Sequence, residues 1–340
     1  MINKIYEKTK NFIKNNYKFF ITLTIIIFVF YYEYPYVIYK SGGTINLEDR
    51  VEIESEYTEE GTISMSYVTA IKGTAPFILM SYILPDWDLY PLSDITSEES
   101  YDDVLKLGKE YLNEGIENAI IAAFKESPYS IQITDTINTV MYISEDADTT
   151  IEIGDIIKKV NDTNIKSLDD LKTYINTLSE NDKVIVKVER DGKIIDREAT
   201  IYRAEDDSLK IGVAFKTRYK YTTEIPVQVK MKDNESGSSG SLMMALSIYN
   251  ALVKEDITNG LDIVGTGSIL ADGTVEEIGG VKYKVLAAEK KNADIFICPS
   301  ENYDEAIKVK NKRNLNIEIV KVSSLKEAIN YLKDYDKSNS

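Results

Sequence analysis

The feature that most restricts how this chain can fold is an uncharged, apolar run near its start. The fourteen residues Phe19 to Tyr32 read FFITLTIIIFVFYY, and Glu33 is the next charged residue. Because about twenty apolar residues cross a bilayer, the run reaches that length only when the tyrosines on its two sides are counted as interfacial anchors. The pattern therefore predicts a transmembrane helix over residues 19–39.

The charges beside this run set its predicted orientation. The first 18 residues contain one glutamate and five lysines, Lys4, Lys8, Lys10, Lys14 and Lys18. Lysine-rich flanks remain in the cytoplasm, so residues 1–18 are expected to form a cytoplasmic tail and the rest an extracytoplasmic body on a single-pass cell-membrane anchor. A cleavable signal peptide is disfavoured because no Ala or Ser precedes Ser41 to form a cleavage site. A buried core helix would leave the lysines unexplained.

Composition removes several kinds of function. The chain has 40 Lys and Arg against 56 Asp and Glu, a net charge of −16, so binding to nucleic acid is not expected. It has no histidine, which excludes a Ser-His-Asp triad, a Cys-His dyad and a histidine-ligated metal. The single cysteine, Cys298, allows no internal disulfide bond and is expected to be buried at a strand end. We expect no cofactor and no metal, so any hydrolysis must use Ser, Thr, Lys, Asp, Glu or Tyr.

Residues 43–127 are predicted to form an extracytoplasmic α/β region after the anchor. Its first part, up to about residue 95, is rich in Thr, Ile, Tyr and Ser and predicts short strands that Pro85 and Pro91 close. In residues 97–125 the apolar positions recur at spacings of three and four, which predicts a helix.

Residues 128–203 show a compact pattern of strands around one helix. A strand is predicted at 139–143, a helix follows the N-cap pair Ser167 and Asp170, and Asp191-Gly192 predicts a hairpin turn between strands 184–188 and 194–201.

This segment resembles a PDZ domain of the type found in bacterial proteases. The resemblance is carried by Ile153-Gly154-Asp155-Ile156-Ile157, by Val160-Asn161 and by the helix after Lys166. No Gly-Leu-Gly-Phe-like carboxylate-binding loop is recognisable, so the sequence does not predict capture of a free C-terminus, while addition of a peptide strand to the sheet edge stays open. A module that only spaces or docks is the alternative.

A turn rich in glycine and serine supplies the first candidate for catalysis. Residues 236–241 read SGSSGS and lead directly into the apolar stretch Leu242–Val253, which predicts a buried helix rather than a flexible linker. Free N–H groups at a helix start can hold an anion or a developing oxyanion, so a serine in this turn is a candidate nucleophile.

A lysine further along the chain supplies a candidate general base. Gly279 and Gly280 precede residues that favour helix, which places Lys282 in the first turn. The positive end of the helix dipole disfavours an ammonium there and is expected to lower the pKa of Lys282. With no histidine available, a neutral Lys282 is the best base for a serine. Lys284 is expected to be a solvated surface charge.

Together the two segments resemble the proteolytic domain of the Lon family over residues 209–335. Residues 237–243 stand at that family's Gly-Pro-Ser-Ala-Gly signature, and the resemblance continues through GTGSI at 265–269, IGGVK at 278–282, VLAA at 285–288 and IFICPSEN at 295–302. It implies a Ser-Lys dyad with Ser239 as nucleophile and Lys282 as base.

The signature is not fully kept, because Ser238 and Gly240 replace its proline and first alanine. Ser238 is therefore a competing nucleophile as well as a supporting residue with Gly240. The resemblance gives Thr266 a role in orienting the lysine, and an ordinary strand position is the alternative.

As a whole the chain resembles the membrane-anchored, PDZ-containing Lon-like proteases of Gram-positive bacteria. This implies an α+β chain with a transmembrane helix, a PDZ-like module and a Lon-type domain, acting on unfolded or loosely folded polypeptides. It contains no Gly-x-x-x-x-Gly-Lys-Ser/Thr phosphate loop, so ATP independence is expected. Analogy with the family suggests a homo-oligomer. A catalytically silent scaffold and a peptide-sensing PDZ receptor are the alternative functions.

Overall fold

The computed structural model describes residues 2–54, 57, 59–96 and 101–335, and two compact units make up the chain. In chain order, the helices are α1 (Ile2–Asn15), α2 (Tyr17–Tyr31), α3 (Ala75–Ile83), α4 (Ser93–Thr96), α5 (Tyr101–Glu126), α6 (Leu168–Ile175), α7 (Ser241–Leu252), α8 (Val281–Lys291), α9 (Tyr303–Arg313) and α10 (Leu325–Lys333), with a 3₁₀ turn at Ser300–Asn302. The strands are β1 (Glu33–Asn46), β2 (Val51–Ile53), β3 (Thr62–Thr74), β4 (Asp88–Pro91), β5 (Ile131–Ile143), β6 (Ile156–Val160), β7 (Thr163–Asn164), β8 (Lys183–Arg190), β9 (Lys193–Thr200), β10 (Tyr202–Arg203), β11 (Leu209–Lys210), β12 (Val213–Thr223), β13 (Val227–Val229), β14 (Asp262–Gly265), β15 (Ser268–Ile269), β16 (Val275–Glu276), β17 (Ile295–Pro299) and β18 (Glu318–Val322).

The first unit consists of residues 1–42 and 68–97. Its apolar helix α2 is shorter than the sequence suggests, because the chain turns into strand β1 at Glu33 instead of remaining helical to residue 39. No single helix in the described ranges is long and apolar enough to cross a membrane. Residues 5–15 of α1 and α2 meet the requirement together, as a pair bent by 71°.

The first unit also contains a helix where the sequence predicted only strands. Helix α3 covers Ala75–Ile83, between β3 and β4, and Pro76 lies in its first turn. Proline favours that position because its fixed φ suits a helix start, where its missing N–H would have no intrahelical partner. The prediction of strands was therefore wrong for residues 75–83.

The second unit consists of residues 43–67 and 98–340 and contains two hydrophobic cores of different architecture. In the C-terminal part, four parallel strands lie in the order β18, β17, β14 and β3. Parallel neighbours require crossover connections, and α8 and α9 supply them between β14, β17 and β18. Helix α7 lies in the core, with all but one of its residues buried, as its apolar sequence predicts.

The other core lies in the segment that resembles a PDZ domain. Its antiparallel sheet has the order β12, β5, β6, β8 and β9, and α6 packs on it through Leu171 and Ile175. The predicted capping box of Ser167 and Asp170 is confirmed. So is the hairpin at Asp191-Gly192, where both residues have positive φ as a type I′ turn requires.

The sheet of the PDZ-like segment extends past the domain borders predicted at residues 203 and 209. Strand β12, at 213–223, pairs with β5 along its whole length, and Ile211 lies in the same core. Strands β2 and β3, from the region predicted to precede the PDZ-like segment, pair with β13 and β14. Pairing distant in sequence carries no local signal, so composition could not place these borders.

Helix α5 connects the two cores. On one side its glycines leave no room beside the serine turn, since a Cβ on Gly115 would lie 3.1 Å from Ser238 Cα. On another side its glutamates face β12, where Arg218 pairs with Glu110 at 2.6 Å and with Glu117 at 2.5 Å. The Arg218 side chain is only 11% exposed, so these ion pairs are well shielded from water.

Candidate active site

The serine turn is held in place before helix α7 begins. The Gly237 N–H donates to Gly108 O of α5 at 2.8 Å, and the Ser241 N–H donates to Ser238 O at 2.9 Å. Gly240 is the N-cap of α7. Ser239 is partly exposed, whereas Ser241 is buried. The Ser239 hydroxyl makes no hydrogen bond within the described part of the chain, which leaves it available to a substrate.

The loop after β14 forms hydrogen bonds to the same turn. The Ser239 carbonyl accepts two hydrogen bonds, one from the Gly267 N–H at 2.7 Å and one from Thr266 Oγ1 at 2.9 Å. The Leu242 N–H donates to Gly267 O at 3.1 Å. These bonds fix the backbone of the candidate nucleophile against a buried threonine.

The lysine that reaches this place is Lys284. Its side chain lies in α8 and is only 2% exposed, and its Nζ donates to Thr266 Oγ1 at 3.0 Å. Burial removes the ammonium from water and lowers the pKa of Lys284 to about 7. Thr266 therefore links a lysine that is half neutral near pH 7 to the backbone of Ser239.

Lys282, the base predicted from the sequence, has a different environment. It lies in the first turn of α8, as predicted, but its side chain is only partly buried and its Nζ lies over the Tyr283 ring at 5.3 Å from the centroid. The expectation that Lys284 is a solvated surface charge was wrong.

A signal for the buried lysine was present in the spacing of α8. Val281, Lys284, Val285 and Ala288 follow the i, i+3, i+4 and i+7 pattern of one helix face, and all four are buried. Position 282 lies off that face. The lysine within the apolar stripe, rather than the one next to the glycines, is the desolvated one.

Ser238, the competing nucleophile, has a hydrogen-bond partner. Ser268 Oγ donates to Ser238 Oγ at 2.9 Å, and Gly115 of α5 leaves no free space beside the Ser238 backbone. Ser241 is engaged as well, since its Oγ accepts the Ile269 N–H at 3.0 Å. Among the serines of the turn at 238–241, Ser239 is the one whose hydroxyl is unbound.

The turn also offers donors for an oxyanion. Across residues 237–241, the N–H groups of Ser238, Ser239 and Gly240 have no acceptor among the described residues, while those of Gly237 and Ser241 are used. Free N–H groups at a helix start stabilise negative charge. Gly240 is buried against Met65, whose Sδ would lie 2.5 Å from an added Cβ. Cys298 is buried in β17 as predicted and plays no part here.

A second candidate site is a groove of about 580 Å³ in the PDZ-like segment. Its walls are helix α6 and the loop that runs into β12, and β12 is an edge strand of the sheet. The lining is mainly apolar and includes Leu171, Ile175, Leu209, Ile211 and Val213, with Lys172 at the side.

A loop beside this groove, at Ile211 and Gly212, has features of a carboxylate-binding loop that the sequence did not predict. Gly212 has a φ of 74°, and a Cβ there would lie 2.3 Å from Ala147 Cβ, so only glycine fits. The N–H groups of Ile211 and Gly212 have no acceptor within the described residues, and the Gly212 carbonyl accepts the Ser144 N–H at 2.7 Å. The loop follows residue 203, downstream of the segment searched.

Comparisons with known proteins match both the C-terminal part of the chain and the segment that resembles a PDZ domain. The profile of the Lon protease (S16) C-terminal proteolytic domain matches residues 196–333, and the PDZ domain profile matches residues 122–201. Over 98 residues the chain is 33% identical to Lon protease 2 of Borreliella burgdorferi, a match that covers 29% of this chain and 12% of that protein. Over 132 residues it is 26% identical to the Lon protease of Haemophilus influenzae, covering 39% and 16% respectively.

Among solved structures, the PDZ domain of an SdrC-like protein from Listeria monocytogenes matches 25% of this chain and 92% of its own, with 19% identity and a TM-score of 0.23. The chain spans less than a fifth of the length of the two curated relatives named above, 12% of one and 16% of the other.

Proposed function

Since the chain carries a PDZ domain and the C-terminal proteolytic domain of the Lon protease type, we propose that it is a serine endopeptidase working with a Ser-Lys dyad. The observation that carries this proposal is the buried path from Lys284 Nζ to Thr266 Oγ1 at 3.0 Å and from Thr266 Oγ1 to the Ser239 carbonyl at 2.9 Å. We assign Ser239 as nucleophile and Lys284, in place of Lys282, as general base, with Thr266 as the residue that positions the lysine.

Acylation and deacylation then each need two proton transfers through the Lys284 amine. Neutral Lys284 accepts the Ser239 hydroxyl proton as Oγ attacks the peptide carbonyl carbon, and the N–H groups of Ser239 and Gly240 hold the oxyanion. The Lys284 ammonium gives its proton to the leaving amine as the C–N bond breaks, which leaves an ester on Ser239. Lys284 then takes a proton from water as the water oxygen attacks the ester carbonyl carbon, and it gives that proton to Ser239 Oγ as the ester C–O bond breaks. The second product leaves with the new carboxyl group, and the Ser239 hydroxyl and the neutral amine are restored.

The substrates proposed are unfolded or loosely folded polypeptides, and no nucleotide is required. The sequence contains no phosphate loop for an ATP-driven unfolding motor. The PDZ groove offers an edge strand, apolar side-chain pockets and free N–H groups at Ile211 and Gly212. These features suit an extended peptide whose terminal carboxylate rests on the loop, so the groove would present or sense such chains.

The location proposed is the cell membrane, with residues 1–18 in the cytoplasm and the PDZ-like and proteolytic modules outside. Helix α2, which carries no charge after Lys18 and has no buried residue, is the segment proposed to enter the membrane. The lysines of residues 4–18 favour the cytoplasmic side for the N-terminus.

The proposed function is tested by cleavage of an unfolded polypeptide without nucleotide. The full chain in detergent micelles is compared with the double variant Ser238→Ala/Ser239→Ala, which removes both candidate nucleophiles. The parent is expected to release peptides that mass spectrometry identifies, and the double variant to release none. Equal cleavage by both would assign the activity to a contaminant. No cleavage by either, with a PDZ-binding peptide supplied, would favour the scaffold function.

The pH dependence of cleavage follows from the lowered pKa of Lys284. The base is active when neutral, so kcat/KM is expected to rise with pH through a midpoint near the Lys284 pKa of about 7 and to level off above it. The measurement is kcat/KM for a fluorogenic peptide between pH 5 and 10. Lys282→Met serves as the matched control and is expected to keep the same midpoint. A midpoint near the ordinary lysine value would contradict the assignment.

A further inference from the structure

Helix α3 presents an apolar face that the described residues of its own unit leave unburied. The thirteen residues from Gly73 to Pro85 carry no charge, and no residue of α3 is buried. Leu79, Tyr82 and Ile83 are 63%, 77% and 70% exposed. Their i, i+3, i+4 spacing places them on one face, so they form a continuous apolar stripe rather than scattered exposed side chains.

The stripe begins beside the end of the proposed anchor. Glu33, two residues beyond α2, pairs with Lys72, three residues before α3, at 2.7 Å. Helices α2 and α3 contact one another within this unit. The end of the apolar helix α2 and the start of α3 therefore lie at the same level.

Aromatic and basic side chains surround this junction. Trp87, which follows α3, contacts the Phe77 ring at a centroid distance of 6.3 Å, and Lys40 Nζ lies 5.2 Å from the Trp87 ring centroid. Tyr39 and Tyr90 form a further ring pair at 5.6 Å. Tryptophan and tyrosine with nearby lysine are the side chains that settle at the boundary between lipid and water.

We propose that α3 is a second membrane-contacting element, lying in the interface at which α2 leaves the bilayer, with its Leu79, Tyr82 and Ile83 face among the acyl chains. The inference rests on the proposed membrane anchor and adds a surface to it. Its occupant is lipid.

The length of α2 gives α3 a physical role. Fifteen residues at about 1.5 Å each make α2 roughly 22 Å long, whereas the hydrocarbon core is about 30 Å thick. A span that is too short thins the bilayer locally, so an adjacent apolar helix in the interface would increase the lipid contact of the anchor.

The absence of charged side chains from the stripe favours lipid over a second copy of the chain as its occupant. None of its side chains carries a charge that would fix the register of a protein partner. Helix α2, which contacts α3, is likewise apolar and has no buried residue. The lysines of α1 complement anionic headgroups on the other side of that span.

The test places an environment-sensitive NBD label on single introduced cysteines in the full chain. The native Cys298 is buried and its thiol pKa is raised to about 12 by burial, so it is not expected to react. Leu79→Cys reports on α3, Ile25→Cys on α2, and Lys193→Cys, in the exposed PDZ hairpin, on water. Each protein is reconstituted into phosphatidylcholine–phosphatidylglycerol vesicles with or without acyl-chain bromines that quench the label.

Quenching at Leu79→Cys and Ile25→Cys, with none at Lys193→Cys, is the expected result. Quenching at Ile25→Cys alone would overturn the α3 proposal while the anchor stands. Quenching at neither would refute the anchor, and α3 with it. A blue-shifted, unquenched label at Leu79→Cys would show that protein covers the stripe. Quenching of the single tryptophan, Trp87, in the unlabelled parent by the same lipids checks the result without any substitution.

Discussion

Replacing Lys284 with methionine is expected to lower kcat/KM for peptide cleavage by about a thousandfold or more, the range in which a positioned general base acts. The matched variant Lys282→Met is expected to keep most of the activity, because Lys282 is only partly buried and its Nζ lies over the Tyr283 ring. Methionine fills a similar volume in both variants, so the comparison isolates the amine. Loss with Lys282→Met and retention with Lys284→Met would reverse the assignment.

Lys284→Met should also raise the free energy of unfolding at acidic pH. The Lys284 pKa falls from 10.5 when unfolded to about 7 when folded, so the unfolded chain binds more protons between these values and this group's contribution to stability rises with pH across that window. The full shift corresponds to about 5 kcal/mol at ~1.4 kcal/mol per pKa unit.

Loss of the hydrogen bond to Thr266 and imperfect packing offset part of this energy. A gain of about 1 to 3 kcal/mol in the free energy of unfolding is therefore expected for Lys284→Met at pH 6, declining as the pH rises above about 7. Denaturant unfolding at pH 6 and pH 9 measures it. Lys282→Met should change the free energy by less than about 0.5 kcal/mol at either pH. A destabilised Lys284→Met protein at pH 6 would show that the lysine is not held as a desolvated amine.

Replacing Ser239 with alanine is expected to abolish cleavage, because the reaction loses the oxygen that forms the acyl-enzyme. The Ser239 backbone bonds to Gly267 and Thr266 do not involve the hydroxyl, so the turn should keep its shape. The Ser239→Ala protein should therefore unfold at the same denaturant concentration as the parent.

Ser238→Ala is the matched control for the nucleophile. It removes the hydroxyl that accepts from Ser268 at 2.9 Å, a contribution of about 1 kcal/mol, and is expected to reduce kcat/KM by less than about tenfold. Mass spectrometry of the protein with a slowly hydrolysed ester substrate would locate the acyl group on the peptide containing Ser239 in Ser238→Ala. Inactive Ser238→Ala together with active Ser239→Ala would move the nucleophile by one residue.

The serine was easier to find in the sequence than the lysine. A glycine-serine turn that runs directly into an apolar helix favours close backbone approach over a flexible linker, and the structure confirms that buried helix as α7. Recognising Lys284 as buried required working out that it shares a helix face with Val281, Val285 and Ala288. The short distance along the chain from Gly280 suggested Lys282 instead. Helix phase decides burial, and burial decides which amine is neutral.

Strand pairing between residues far apart in the sequence limited how much of the rest of the fold could be predicted. The PDZ-type hairpin and capping box are local and were predicted. The groove loop at Ile211 and Gly212 belongs to the domain only through the pairing of β12 with β5, some seventy residues apart by register, from Val213 opposite Ile143. The short strands predicted up to about residue 95 are wrong at 75–83, because a short apolar run suits either a strand or a helix until Pro76 in the first turn is considered.

Helix α5 has a consequence for exchanging parts of this protein. One rigid helix carries Gly108 and Gly115 against the serine turn and Glu110 and Glu117 against Arg218 of the PDZ edge strand. A foreign PDZ domain grafted in place of this one would remove Arg218 and leave the shielded carboxylates of Glu110 and Glu117 without that cation, on the helix that packs against the serine turn. The two modules are therefore not interchangeable: a chimera must carry over the arginine of β12, or neutralise the glutamates of α5, to keep the packing of α5 against the serine turn.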